Sequence, residues 1–170
     1  GGGLSVARLV DAYSRGAFPW FGEGEPVLWW CPDPRMVLPT DDVHVSRSLA
    51  RRLRRGGYQV TIDRAFIEVV RACAEPRADD HGTWITREMQ EAYAALHYAG
   101  HAHSLEVWVD GALAGGIYGV GLGRAFFGES MFSRARDASK IALVGLVRRL
   151  AADGFGLIDC QMHTTHLASL

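Results

Sequence analysis

A chain of 170 residues with 48% hydrophobic and 22% charged side chains has room for one well-buried core, or for one core and a small appendage. The net charge of −1 excludes a polycation that coats nucleic acid wholesale, and no apolar run is long enough to span a membrane. There is no secretion signal, and three dispersed cysteines (Cys31, Cys73 and Cys160) suit a reducing compartment, so a soluble cytoplasmic protein is expected.

Ser5 is placed to cap a first helix whose apolar positions Val6, Leu9, Val10 and Tyr13 follow helical spacing, with Gly16 ending it. The aromatic turn Phe18-Pro19-Trp20-Phe21 leads to a short strand over Val27 to Trp30. Pro32-Asp33-Pro34 interrupts helix and sheet alike, which predicts a boundary between a small N-terminal subdomain, 1–34, and a larger domain, 35–170. Met36 to Leu38 resumes as a strand, and Ser46 caps a helix bearing Arg47, Arg51, Arg52, Arg54 and Arg55 that stops at Gly56-Gly57. Tyr58 to Ile62 alternates as a strand, Asp63 caps a helix through Phe66, Val69, Val70 and Cys73, and a polar loop covers 75–83. Thr86 opens a longer helix through Met89, Tyr93 and Leu96, closed by Gly100.

Strands over His103 to Val109 and Ala112 to Val120 flank Asp110-Gly111, a strong hairpin signal. Gly121 to Gly123 turns the chain into a strand over Arg124 to Phe127. Asp137 caps a helix through Ile141, Leu143, Val144, Val147 and Leu150, and Leu157 to Gln161 forms the last strand. Helices, a strand meander, a helix and a strand predict an α+β fold: a mixed sheet flanked by helices, with the rhythm of acetyltransferase-like, GNAT-type proteins.

Glu129, Asp159 and Gln161 put proton-accepting side chains where a sheet should be apolar. On a strand, Asp159 and Gln161 point one way and Cys160 the other. An Asp two residues from a Gln can accept from the amide NH2, which fixes the amide and leaves its carbonyl oxygen as an acceptor. Such a buried set is a structural network or a site.

Other features carry weaker signals. The glycines of Gly119 to Gly123 lead into a strand and not into a helix N-terminus, so they read as a turn and not as a phosphate cradle. His101 with His103, and His163 with His166, lack a third ligand, so no metal is expected. Ser130 and Ser133 have no His and Asp at a recognisable spacing, and Lys140 reads as a surface or loop-anchoring residue. Trp29 and Trp30 read as a satellite core, whereas Trp20 and Trp84 adjoin turns where an indole can stack on a base. The arginine run is either a solvated helix face or a phosphate-contacting patch. Arginines and aromatics together make single-stranded nucleic acid a reasonable partner.

The chain resembles the bacterial leucyl/phenylalanyl-tRNA–protein transferases. The matching segments, in family order, are Tyr13 to Phe21, Trp29 to Arg35, Gly82 to Thr86, Gly100 to Trp108, Gly115 to Gly119, Phe127 to Ser133, Ala138 to Lys140 and Ile158 to Gln161. They cover nearly the whole chain and are specific as a set. Cys31 stands where that family usually has Ser, and family members begin earlier and continue past Leu170.

The resemblance implies transfer of Leu or Phe from its tRNA to the α-amine of a protein beginning with Arg or Lys, which tags that protein for degradation. It implies no metal and no organic cofactor, and a monomer is expected. The oxygen of Gln161 would accept a proton from the attacking amine, Asp159 would orient the Gln161 amide, and Glu129 would hold a cationic group. Trp20 and Trp84 would contact the terminal adenosine. Ile117, Phe126, Met131, Leu143 and Ile158 would form an apolar pocket for Leu or Phe, their other reading being ordinary core. Arg47, Arg51, Arg52, Arg54 and Arg55 would hold the tRNA backbone without reading sequence. Two other readings make different demands. A coenzyme-A-dependent N-acetyltransferase needs a phosphate-binding loop ahead of a helix. A non-catalytic binder of basic N-termini would use Glu129 and Asp159 only to recognise charge.

Overall fold

The computed structural model of the chain describes residues 3–76 and 83–162. Its centre is built by two runs, each buried on both faces, joined at Asp110-Gly111, both of which take positive φ, as a tight hairpin turn requires. These runs are β5 (Ala102–Val109) and β6 (Ala112–Leu122), and a second turn at Gly123 returns the chain as β7 (Ala125–Ser133). The strand expected over 124–127 therefore runs on through Glu129 to Ser133.

On one edge lies β4 (Gln59–Ile62); on the other lie β8 (Leu157–Gln161) and then β3 (Met36–Pro39), giving the order β3-β8-β7-β6-β5-β4. All neighbours are antiparallel except β7 and β8, which run parallel and are joined through α5 (Ala138–Ala152). A β1 (Phe18–Pro19) and β2 (Trp29–Trp30) pair forms a separate two-stranded ribbon. This is an α+β fold with a mostly antiparallel mixed sheet flanked by helices.

One face of the sheet is covered by α1 (Val6–Ser14), α3 (Phe66–Ala74) and α4 (Arg87–Tyr98). Leu9, Tyr13, Phe18 and Phe21 bury into the same cluster as Val69, Met89 and Tyr93, so the N-terminal segment shares this core. The opposite face is covered by α5, whose Ile141, Leu143 and Val147 pack on Leu105, Ile117 and Phe126. Helix α2 (Arg47–Arg55) rests on α5 through Leu53.

Ser5, Ser46 and Thr86 cap their helices as expected, each side chain accepting a backbone N–H. Two expected caps do not form. Asp63 takes φ 56° and binds His103 and the Ser104 N–H, while Glu106 accepts the Arg64 and Ala65 N–H groups at the start of α3. Asp137 takes φ 63° and makes no cap bond; Ser133 accepts the Ser139 N–H instead. No helix among the described residues is long and apolar enough to cross a membrane. Most of the expected 75–83 loop lies outside the described residues, as do His163 and His166.

Candidate active site

Strands β7 and β8 pair only where Ala125 to Phe127 lie beside Leu157 to Asp159, and then they part. At the point of parting β7 bulges. Tyr118 opposes Ser130 and Gly119 opposes Gly128, leaving Glu129 as the extra residue. A Cβ on Gly119 would lie 2.1 Å from the Phe127 carbonyl oxygen, so this close approach admits only glycine. The bulge explains why Phe127 and Phe132, an odd number of residues apart, reach the same core, and it aims Glu129 at α1 and α4.

Glu129 is buried. Its Oε1 accepts from the Tyr13 hydroxyl and from Gln161 Nε2, the latter at 2.8 Å. Burial pushes its pKa up from the ordinary 4.5 to about 7, against the opposing pull of these hydrogen bonds. Tyr13 and Tyr93 are hydrogen-bonded to each other and fully buried. Burial, then the Glu129 charge, raises both phenols well above their usual value, so both keep their protons. Tyr13 donates to Glu129, and the two phenols and the carboxylate form one buried hydrogen-bonded network. Glu129 Oε2 is buried with no hydrogen-bond partner among the described residues.

Asp159 and Gln161 are both buried at the end of β8, but their expected bond is not formed. The Gln161 amide nitrogen is held by Glu129, not by Asp159. Asp159 Oδ1 instead accepts the Gln161 backbone N–H at 2.8 Å and Arg35 Nε at 2.9 Å. The cause is local backbone geometry. Gln161 has φ 66°, and the Met162 N–H reaches back to the Cys160 carbonyl at 2.8 Å, which makes Gln161 the centre of a tight turn. Strand alternation fails there, so the amide swings toward Glu129. Arg35 also donates to the Gly16 carbonyl at 2.6 Å and lies over the Phe18 ring, tying β3, the end of α1 and β8 together.

A cavity of about 200 Å³ opens beside this turn, with Glu129 and Gln161 at its base and Phe18, Trp20, Trp84 and Cys160 among its walls. With Nε2 engaged, the Gln161 carbonyl oxygen is left as the amide's acceptor. Burial, then the Asp159 charge, pushes the Cys160 thiol up to about 11, so it stays protonated and is a poor nucleophile.

The structure thus brings Glu129, Asp159, Gln161, Trp20 and Trp84 together. Ile117, Phe126, Leu143 and Ile158 lie buried on the α5 face of the sheet, with Met131 half-buried against them, and none of the five lines this cavity. Arg47, Arg51, Arg54 and Arg55 are exposed on α2. Arg52 is half-buried, bonded to the Gly56 carbonyl and stacked on Tyr58, and so is occupied within its own helix end. Glu129 is bonded to tyrosine and glutamine, and the nearby Arg134 of the chain pairs with Glu75 at 2.6 Å instead.

Sequence reasoning misses Tyr13, Tyr93 and Arg35. Both tyrosines sit at core positions of amphipathic helices; Tyr13 also opens the Tyr13 to Phe21 segment, whereas Tyr93 carries no separate signal. Arg35 closes the Trp29 to Arg35 segment, which is the only pointer to it.

Residues 2–33 match the family model for the leucyl/phenylalanyl-tRNA protein transferase N-terminal domain, and residues 37–170 match the model for leucyl/phenylalanyl-tRNA protein transferase. The chain is 62% identical over 170 residues to the leucyl/phenylalanyl-tRNA–protein transferase of Chromobacterium violaceum, covering all of this chain and 73% of that protein. It is also 62% identical to the protein of that name from Nitrosospira multiformis, with the same coverage. Among solved structures, L-PGS from Bacillus licheniformis aligns with a TM-score of 0.51 over 96% of this chain and 55% of that one; at 13% identity the likeness concerns the fold alone. The matches to both family models and the full-length identity to these relatives show that the chain belongs to the leucyl/phenylalanyl-tRNA–protein transferase family.

Proposed function

We propose that this chain transfers Leu or Phe from aminoacyl-tRNA to the α-amine of proteins beginning with Arg or Lys, forming a peptide bond that marks them for degradation. The observation that carries this reading is the Gln161 amide, locked by Glu129 at the base of an aromatic-walled cavity where β7 and β8 part. A parallel pair that splays beside a bulged strand is the arrangement we take as acetyltransferase-like.

The chemistry is aminolysis of an ester. The amine nitrogen bonds to the ester carbonyl carbon, the carbon–oxygen bond to the ribose breaks, and the ribose oxygen leaves with a proton that began on the amine. An α-amine has a pKa near ~8, so a fair fraction is neutral around pH 7 and needs little activation. Gln161 accepts a hydrogen bond from the attacking N–H and aims the lone pair at the carbonyl; an amide oxygen is too weak a base to keep the proton. Held geometry supplies much of the acceleration. The protonated Cys160 argues for direct attack over an acyl-thioester intermediate. An ester is already activated, so the chemistry calls for neither metal nor organic cofactor.

Glu129 Oε2, buried and unpartnered among the described residues, suits the donor's α-ammonium, and binding that cation stabilises the ionised carboxylate. Trp20 and Trp84 stack on the terminal adenosine. The donor's Leu or Phe side chain packs beside Met131, which is half-buried against the apolar cluster of Ile117, Phe126, Leu143 and Ile158. The exposed arginines of α2 contact tRNA phosphates, and the enzyme works as a cytoplasmic monomer. One assay tests the reading: an Arg-starting peptide is incubated with Phe-tRNA, with acetyl-coenzyme A, or with neither. Addition of one phenylalanine residue from Phe-tRNA alone is expected. An acetylated peptide would move the chain to the N-acetyltransferases, and an unchanged peptide would leave a binder of basic N-termini.

A further inference from the structure

Beyond the cavity, the β1–β2 ribbon presents a second indole that the proposed chemistry does not use. Trp20 and Trp30 are 40% and 44% exposed, with ring centroids 5.7 Å apart and planes inclined by 66°. Leu28, 47% exposed, lies beside them, its carbonyl bonded to the Trp20 N–H at 2.9 Å. The satellite core expected of both neighbouring tryptophans holds for Trp29 alone. Trp29 turns inward against the core and Trp30 outward, as two-residue alternation on a strand dictates.

This patch is built rather than incidental. The indole N–H of Trp30 donates to the Trp20 carbonyl at 2.8 Å, so the ring is fixed and its only donor is spent. What it offers a ligand is a π-face and no hydrogen bond. It adjoins Trp20, which lines the cavity together with Trp84, Glu129 and Gln161. A partner that needs neither hydrogen bonds nor charge here, and that continues from whatever Trp20 holds, is the next base of a single strand.

We propose that Trp30, with Leu28, is the stacking platform for the nucleotide immediately 5′ of the donor's terminal adenosine. The inference rests on the reading of Trp20 as the adenosine contact. On this view the ribbon carries the unpaired end of the tRNA across two successive indoles, so that the ester arrives at Gln161 already oriented. Because stacking tolerates any base, the platform adds affinity without discriminating among tRNAs.

The test separates binding from chemistry. Equilibrium dialysis of unacylated CpCpA and of adenosine against the wild-type chain, Trp30→Ala and Trp30→Phe measures the platform alone. CpCpA should bind wild type on the order of tenfold more tightly than adenosine does. Trp30→Ala should collapse that ratio toward one, and Trp30→Phe should keep most of it. In transfer assays, phenylalanyl-CpCpA should surpass phenylalanyl-adenosine in kcat/KM by a similar ratio, again lost in Trp30→Ala. Equal binding of CpCpA and adenosine to wild type, or an undiminished ratio in Trp30→Ala, overturns the platform while leaving the transferase reading intact. Stacking that behaves as expected in a chain that transfers nothing overturns the transferase reading alone. Concentration-dependent self-association abolished by Trp30→Ala, with the nucleotide ratio unchanged, would put a second copy of the chain on this patch and also overturn the proposal.

Discussion

At the scale of single residues, the charge on Glu129 matters most. Its folded pKa, about 7, lies above the ordinary 4.5, so the folded chain binds this proton more tightly than the unfolded chain does. The associated stability is complete below about 4.5, falls as pH rises toward 7, and is flat above that, a loss on the order of 3 kcal/mol. Glu129→Gln keeps the shape and has no such titration. Thermal melts from pH 4 to 8 should show the variant gaining on wild type through that window; parallel curves would place the group's titration elsewhere. If ionised Glu129 receives the donor's ammonium, the ratio of wild-type to variant kcat/KM for the donor should rise as pH passes about 7, on top of the rise that both share from deprotonation of the attacking amine.

The neighbouring carboxylate acts differently. Asp159 anchors the Gln161 N–H and pairs with Arg35, so it fixes the backbone at the turn and not the amide itself. Asp159→Asn leaves Arg35 with no anionic partner and loosens the turn. Transfer should fall by roughly tenfold or more, and the melting temperature should drop as well, because a buried charge pair has been broken. Loss of activity with an unchanged melt would instead favour a direct catalytic part for the carboxylate. The identities of Glu129, Asp159 and Gln161 stand out in the sequence because polar side chains interrupt strands. Their partnerships do not. A positive φ at Gln161 and an extra residue in β7 are set by tertiary packing, and each reverses the alternation on which facing arguments depend.

At the scale of elements, Glu106 shows where sequence reasoning has no purchase. It is fully buried in β5, yet in the sequence it is only one polar position within a strand. Its carboxylate accepts from Thr61 across the strand pair, from Ser104 on its own strand, and from the Arg64 and Ala65 N–H groups that open α3. It therefore holds β4, β5 and α3 in one joint, the capping role expected of Asp63. Glu106→Ala leaves those four donors unsatisfied and should destabilise the chain by roughly 3 kcal/mol or more. Chemical denaturation measures this directly, and a change under about 1 kcal/mol would show that water replaces the carboxylate. By contrast, the Asp110-Gly111 hairpin, the caps at Ser5, Ser46 and Thr86 and the apolar face of α5 are all legible, because local chemistry alone decides them.

At the scale of the whole molecule, the site exists only because distant segments converge. Tyr13 and Arg35 come from the first quarter of the chain, Tyr93 from α4, Glu129 from β7 and Gln161 from β8. Separate family models match residues 2–33 and 37–170, yet α1 is packed into the core under the sheet. Docking of that helix supplies the Tyr13 hydroxyl that fixes Glu129, and Glu129 in turn fixes Gln161. On the proposed mechanism this last amide positions the attacking amine. The direct measurement is single-turnover transfer from saturating Phe-tRNA to an Arg-starting peptide by wild type and Gln161→Ala, with the dissociation constant for Phe-tRNA measured in parallel. The expected result is a rate lowered on the order of 100-fold with donor affinity within about twofold of wild type. A variant that turns over like wild type, or that slows only because it no longer binds the donor, would contradict it.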